Sequence, residues 1–155
     1  MSWRNSHLYQ FSEKGFGSLI TINSPHDPEA VIKAKEVSTD PMLFNMYNRS
    51  MFNKKNAPTL SYIYDFGDSW EHEIAVIDFD RDGKSKLVAG AGACPPENCG
   101  GIHAFEDIKT CLKTGKVSQL TGEPWEPWLT ESGYKHFDPK VFDKKAANQR
   151  LKMLG

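Results

Sequence analysis

Tyr62-Ile63-Tyr64-Asp65-Phe66-Gly67-Asp68-Ser69-Trp70-Glu71-His72 decides the fold. Leu60, Tyr62, Tyr64 and Phe66 alternate before Gly67, and Trp70, His72, Ile74 and Val76 alternate after it, the period of two half-buried strands joined by a turn. Bringing both sets to one face pairs Phe66 with Trp70 and Tyr64 with His72, leaving the loop Gly67-Asp68-Ser69 with Gly67 left-handed. Asp65, Glu71 and Glu73 then lie on the other face. A two-residue turn at Gly67-Asp68 would split the apolar sets between faces. The hairpin is therefore expected in the middle of an antiparallel sheet, with Tyr62, Tyr64, Trp70 and His72 together.

Toward the N-terminus, Tyr9 and Phe11 read as a strand turned back by Lys14-Gly15-Phe16-Gly17 into Ser18 to Ile22. Asn23 to Pro28 is a loop, Glu29 to Val37 a short helix, and Asp40-Pro41 starts a helix whose apolar face carries Leu43, Phe44, Met46, Tyr47 and Met51. Toward the C-terminus, Asp80 to Lys84 is a turn and Lys86 to Ala89 a third short strand of the hairpin's sheet. Asp78, Asp80 and Asp82 before Gly83 resemble a calcium loop, but Ala89 stands where its bidentate Glu belongs, so a solvated turn is the reading. Gly90 to Gly101 is too rich in Gly and Pro for regular structure. Ile102, Phe105, Ile108 and Leu112 recur at helical spacing with Gly115 as the C-cap. Trp125-Glu126-Pro127-Trp128 reads as a plug against the core, and Asp138-Pro139 to Met153 as a basic amphipathic helix. The expected fold is α+β, one domain over residues 1–155: an antiparallel sheet with helices on one face and a C-terminal helix.

Nineteen basic against twenty acidic side chains leave a net charge of -1, which gives no global field for nucleic acid or anionic lipid. No apolar run is long enough for a membrane span, and Met1 to Asn5 opens no signal peptide, so a cytoplasmic protein without a membrane partner is expected. Three cysteines, Cys94, Cys99 and Cys111, are too few for a secreted disulfide framework.

Asp65, Asp68 and His72, joined by His7 or His103, are residue types of a hydrolytic metal or general-base site. The structural alternative makes Asp68 a turn cap, His72 a core-facing ring and Asp65 an anchor for a backbone amide. It is favoured because the register puts Asp65 and His72 on opposite faces. Asp65-Phe66-Gly67 matches the magnesium triplet of protein kinases, but the glycine-rich loop, the strand lysine and the His-Arg-Asp loop are absent, which excludes that class. Cys94-x4-Cys99 with His103 offers three local ligands and no obvious fourth, making zinc the candidate cofactor, but Pro95-Pro96 and Gly100-Gly101 also suit a structural loop or a bound anion, and the structural loop with no cofactor is the favoured reading.

Three segments in order, Tyr62-x-Tyr64-Asp65-Phe66-Gly67-Asp68-x-Trp70-x-His72, Cys94-Pro95-Pro96-Glu97-x-Cys99-Gly100-Gly101 and Asp138-Pro139-x-x-Phe142-Asp143, resemble the plasmid open-reading-frame-three family, also described as transposon-passenger TnpR-like proteins. The resemblance implies a small α+β domain from plasmids and mobile elements, with no defined reaction. It also implies that a leading strand and helix carried by other members precede the position of Trp3. Trp3 to Phe11 would then be an exposed aromatic edge, covered either by a second copy in a homodimer or by the C-terminal helix. A resolvase activity lacks its agents, since the four arginines, Arg4, Arg49, Arg81 and Arg150, are scattered.

The reading is a binding or accessory module for a protein or small-molecule partner. Its pocket would be formed by the aromatic hairpin and the Cys-Pro-Pro loop, with Asp65, Asp68, Trp70, His72 and Glu97 as pocket residues and Cys94, Cys99 and His103 as metal candidates. The alternatives are a metal-dependent hydrolase and a nucleic-acid-binding, resolvase-like accessory protein, the latter making weak contact through the basic C-terminal helix.

Overall fold

The computed structural model describes residues 3–4, 6–12, 15–16, 18, 21–29, 59–75 and 86–154. The helices expected after Glu29 and after Asp40, and the turn at Asp80 to Lys84, lie outside them. Two compact units divide the chain, Asn5–Arg81 and Met1–Arg4 with Asp82–Gly155. The described strands all fall in the first and the described helices, one of them C-terminal, all in the second, an α+β composition as expected.

The sheet unit holds β1 (Tyr9–Ser12), β2 (Thr21–Asn23), β3 (Thr59–Tyr64) and β4 (Trp70–Ala75), all antiparallel, in the order β2-β1-β3-β4. The first hairpin forms as the alternation predicts, with Phe11 opposite Ile22. In the second, Tyr64 faces Trp70 and Tyr62 faces His72, a register two residues away from the expected one. An even slip keeps every side chain on its face, so Tyr62, Tyr64, Trp70 and His72 do share one side.

The slip is made by the loop, which is Asp65 to Ser69 rather than Gly67 to Ser69. Its left-handed residues are Asp65 (φ 56°) and Ser69 (φ 54°), not Gly67. The Ser69 amide donates to the Asp65 carbonyl at 2.6 Å, and the Asp65 carboxylate accepts the amides of Gly67 at 3.1 Å and Asp68 at 3.3 Å. Aspartate tolerates this conformation because its short side chain bonds the local backbone. Gly67 supplies room instead, since a Cβ there would stand 3.3 Å from Asp65 Oδ1. Phe66 leaves the ladder and meets Phe16 edge-on, ring centres 5.7 Å apart.

The hairpin is not central: among the described strands β4 is an edge, and the exposed Glu71 and Glu73 give it the charges that discourage edge pairing. β1 is internal, paired with β2 on one side and β3 on the other, so the exposed edge expected from Trp3 to Phe11 is absent there and the ground for a dimer through β1 falls. On the aromatic face, Tyr9, Phe11, Tyr62 and His72 form a half-buried row, with Phe11 and Tyr62 centred 4.7 Å apart and Tyr62 and His72 5.5 Å apart. Burial first, then the Tyr64 and Tyr9 phenols, push the Tyr62 hydroxyl up to about 12. On the opposite face, buried Ser12 serves the first turn, its hydroxyl accepting the Gly15 amide at 3.0 Å.

The helical unit contains α1 (Gly101–Thr114), α2 (Glu126–Glu131) and α3 (Lys144–Leu154). Ala104, Phe105, Ile108 and Cys111 form the buried stripe of α1, while Ile102, expected on it, is 53% exposed. Gly115 ends the helix as predicted, left-handed at φ 69° with its amide on Cys111 O at 2.8 Å. Trp125 is buried, as a plug requires, and stands edge-on to Trp128. Its indole N–H donates to Asp107 at 2.7 Å. The same carboxylate accepts the Ser118 hydroxyl and the Gln119 amide, tying the connection between α1 and α2 to the middle of α1. The Ser118 and then the Trp125 hydrogen bonds hold the Asp107 carboxyl below its usual range.

Asp138-Pro139 is a turn and not a helix start, with the Val141 amide on Asp138 O at 3.1 Å. The cap of α3 is Asp143, whose carboxylate accepts the Ala146 amide at 2.8 Å. Lys86 to Ala89 is not a strand either. Asn148 of α3 offers a side-chain amide with the donor and acceptor of a peptide group, and it brackets Leu87, accepting its N–H at 2.9 Å and donating to its C=O at 3.4 Å.

Trp70→Ala is expected to cost about 3–5 kcal/mol, the range for deleting a buried large aromatic, read as a lower urea midpoint. Because folding lowers the Asp107 pKa, the unfolded chain takes up its proton first: the contribution is complete above about pH 5 and is lost as pH falls through about 4 toward the lower folded value. Asp107→Asn should therefore make the acid limb of Tm against pH shallower, as thermal scans between those limits would show.

Candidate functional site

The residues singled out by the sequence fall in different units: Asp65, Asp68, Trp70 and His72 in the sheet unit, Cys94, Glu97, Cys99 and His103 in the helical unit. Each group is described by itself.

In the sheet unit, the Asp65 amide donates to Leu8 O at 2.9 Å, which draws the segment preceding β1 against the hairpin loop. His7 arrives with it, Nδ1 3.5 Å from Asp65 Oδ2. Its ring stands edge-on to Tyr64, centres 5.8 Å apart, and the Tyr64 hydroxyl accepts the Ser6 amide at 3.2 Å. In the neutral ring, a carboxylate beside Nδ1 favours the proton on that nitrogen. His7 Nε2 is closed off from solvent and has no hydrogen-bond partner.

The chain leaving β2 comes back across β1, the Ser24 amide on Tyr9 O at 2.8 Å, and turns with the Asp27 amide on Ser24 O at 3.0 Å. Between this turn and the segment before β1 lies a cleft of about 140 Å³. Ser6, Tyr9 and Ser24 give it hydroxyls, Leu8 and Pro25 apolar surface, and His7 and His26 imidazoles. None of these residues is an acid, a lysine or an arginine. Asn23, at the end of β2, donates its Nδ2 to Asp27 at 2.7 Å, which leaves its buried Oδ1 without a partner.

The structure thus brings His7 to Asp65, the pairing the sequence raises, and leaves the other hairpin candidates elsewhere. Trp70 is buried core. His72 is half-buried with Nδ1 3.2 Å from Tyr62 O, and Asp68 sits in the turn whose amides go to Asp65. Ser24 and His26 carry no motif; the one available sign was a histidine just outside each strand of the first hairpin.

In the helical unit, Glu97 is 8% exposed and its Oε2 accepts the Arg4 amide at 3.1 Å, while its own amide donates to the Tyr134 hydroxyl at 3.0 Å. The Trp3 indole adds a bond to Pro95 O at 2.9 Å. The loop therefore tethers Trp3 and Arg4. Cys99 is buried with its thiol 3.9 Å from Gly101 O, Cys94 is half-buried, His103 is exposed on α1, and all three cysteines are free thiols. Among the described residues no three His, Cys, Asp or Glu side chains converge as a metal-holding group, so Cys94, Cys99 and His103 are not drawn together as one. On α3, Lys145, Arg150 and Lys152 are exposed, whereas Lys144 donates to Val88 O at 2.6 Å. No described helix is long and apolar enough to cross a membrane.

The profile of the family described as plasmid pRiA4b ORF-3-like protein matches residues 1–146. Uncharacterized protein y4hQ of Sinorhizobium fredii is 33% identical over 117 residues, 72% of this chain and 54% of that protein, so the chain spans about half the length of this curated relative. A crystal structure of MM3350, a protein of unknown function from Methanosarcina mazei Go1, matches with a TM-score of 0.58 at 26% identity, covering 94% of this chain and 75% of that one.

Asp65 combines a left-handed backbone with a turn-holding carboxylate, and replacements separate the two roles. Asp65→Ala removes the acceptor and tolerates the conformation poorly, an expected cost of about 1–3 kcal/mol. Asp65→Asn keeps an acceptor oxygen and a residue at home in this conformation, and should cost under about 1 kcal/mol. Urea denaturation of the two variants checks the order.

Proposed function

Because this chain belongs to the plasmid pRiA4b ORF-3-like family, whose relatives above are uncharacterized, we propose that it works in the cytoplasm as a binding or accessory module and not as a metal-dependent hydrolase. The observation that carries this reading is how the ionisable candidates are used. The Asp65 carboxylate accepts turn amides, Glu97 accepts the Arg4 amide, and the His72 ring contacts the Tyr62 carbonyl. A hydrolytic metal site or general base needs such groups aimed at a substrate, with a shared reacting position between them. Here they hold backbone. What the sheet unit offers a partner is the cleft beside His7, a small concave surface with a few polar groups, which suits recognition.

The test is turnover. Purified protein supplied with Zn²⁺ or Mn²⁺ should hydrolyse chromogenic phosphodiesters and acyl esters no faster than the protein-free control, and elemental analysis should find substoichiometric zinc. Metal-dependent turnover that disappears in Asp65→Asn or Glu97→Gln would overturn the module reading in favour of a hydrolase.

A further inference from the structure

We infer that the C-terminal arm, Phe142 to Leu154, docks on the strap formed by residues 87–93 of a second copy of this chain as it docks on its own, so that two copies pair by exchanging arms.

The seam between the two segments defines what fits. The Ala93 amide donates to Pro139 O at 3.0 Å, the Phe142 ring lies on Gly90, Lys144 Nζ donates to Val88 O at 2.6 Å, and Asn148 brackets the Leu87 peptide group. Residue numbers fall along the strap as they rise along the arm, so the two run antiparallel. The hydrogen bonds read only the strap's main chain, and the one side-chain requirement is at Gly90, where a Cβ would overlap the Phe142 ring. An occupant must therefore be extended and carry glycine at that point. The strap of a second copy is identical and meets both conditions. Each copy offers one strap and one arm, which closes the pair about a two-fold axis.

The way the arm is held allows it to leave. No residue from 86 to 93 or from 138 to 153 is buried, whereas Pro96, Phe105, Ile108, Trp125 and Leu129 are. Phe137, whose ring meets Phe105 at 6.3 Å, anchors the chain just before the Asp138-Pro139 turn. Opening that turn detaches the arm without opening the core. The 11 residues of α3 are too few for a stable helix in water, so a detached arm needs a strap. An exchanged seam replaces an identical internal one, and no bond is lost. The balance then sets lost translational freedom against the apolar surface of Val88, Val141 and Met153, exposed in the single chain and available for two copies to cover.

Isotope-filtered NMR on the unaltered chain tests this. Carbon-13-labelled and unlabelled copies, mixed in equal parts and concentrated to about 1 mM to compete with internal closure, should show contacts from the labelled Phe142 ring to the unlabelled Gly90. Light scattering should move from one copy toward two between about 10 μM and about 1 mM. Gly90→Val spoils the strap, and Lys144→Ala with Asn148→Ala spoils the arm. With Trp125 fluorescence showing both cores intact, the mixed variants should pair at least as tightly as unaltered copies, because one sound arm meets one sound strap and both defects share the other seam. A single copy throughout, a pair lacking the labelled-to-unlabelled contact, or a mixture weaker than the unaltered protein would each overturn the inference, and the first two are read without any substitution. None of these readings depends on whether the chain turns over a substrate or binds at the His7 cleft.

Discussion

The carboxylate of Asp65 accepts the amides of Gly67 and Asp68 while its own backbone sits in the left-handed region, and most of the sheet unit follows from that arrangement. Closing the turn from Asp65 makes the loop five residues long, and loop length sets which residues of β3 and β4 meet. Tyr64 then pairs with Trp70 on one side and with Tyr9 on the other, so the hairpin loop and the entrance to β1 lie at the same end of the sheet. The Asp65 amide bonds Leu8 there, and His7 is delivered to the second carboxylate oxygen. Turn, register and candidate site are thus consequences of one side chain. A carboxylate suits the task because it is acceptor-only, with two oxygens that can serve different donors.

Asp107 has a similar place in the helical unit. It collects the Ser118 hydroxyl, the Trp125 indole and the Gln119 amide, and so fixes the connection after α1 that regular hydrogen bonding leaves unheld. The two carboxylates differ in what else they touch. Asp107 is surrounded by donors that only structure supplies. Asp65 also faces the imidazole of His7, a residue that lines a cleft, which is why the candidate site is placed there and not at the Asp107 cluster.

Alternation in the sequence is sufficient to place the hairpins and to sort side chains onto faces, because both depend only on the parity of residue numbers. It is blind to register, since the expected and the observed pairings share that parity and only the left-handed Asp65 and Ser69 distinguish them. Similar blindness explains the helical unit. Asp138-Pro139 has a helix-starting composition, but the same pair builds a turn, and Asp143 is the residue whose side chain reaches a helical amide. Lys86 to Ala89 reads as one more short strand after a turn, yet the partner of the Leu87 peptide group is the Asn148 side chain from 61 residues away, for which no local pattern exists. The candidate site was legible to the extent that Asp65 and His7 are suitable partners. Its other wall was not, because Ser24 and His26 acquire their position from the backbone bond between Ser24 and Tyr9.

A polar side chain that holds backbone and one that waits for a ligand look alike in sequence, and the distinction lies in whether its bonding capacity is used. Glu97 carries the acidic character expected of a reactive group, but burial and the Arg4 amide make it a structural acceptor. His7 is an ordinary loop histidine by composition, yet one nitrogen is fixed by a carboxylate and the other is buried and empty. The fixing matters as much as the emptiness. An imidazole free to exchange its proton between nitrogens would offer either a donor or an acceptor and would select neither kind of ligand. The Asp65 carboxylate 3.5 Å from Nδ1 biases the neutral ring toward one tautomer, and that bias is a property of the folded turn around Asp65 and not of the histidine by itself.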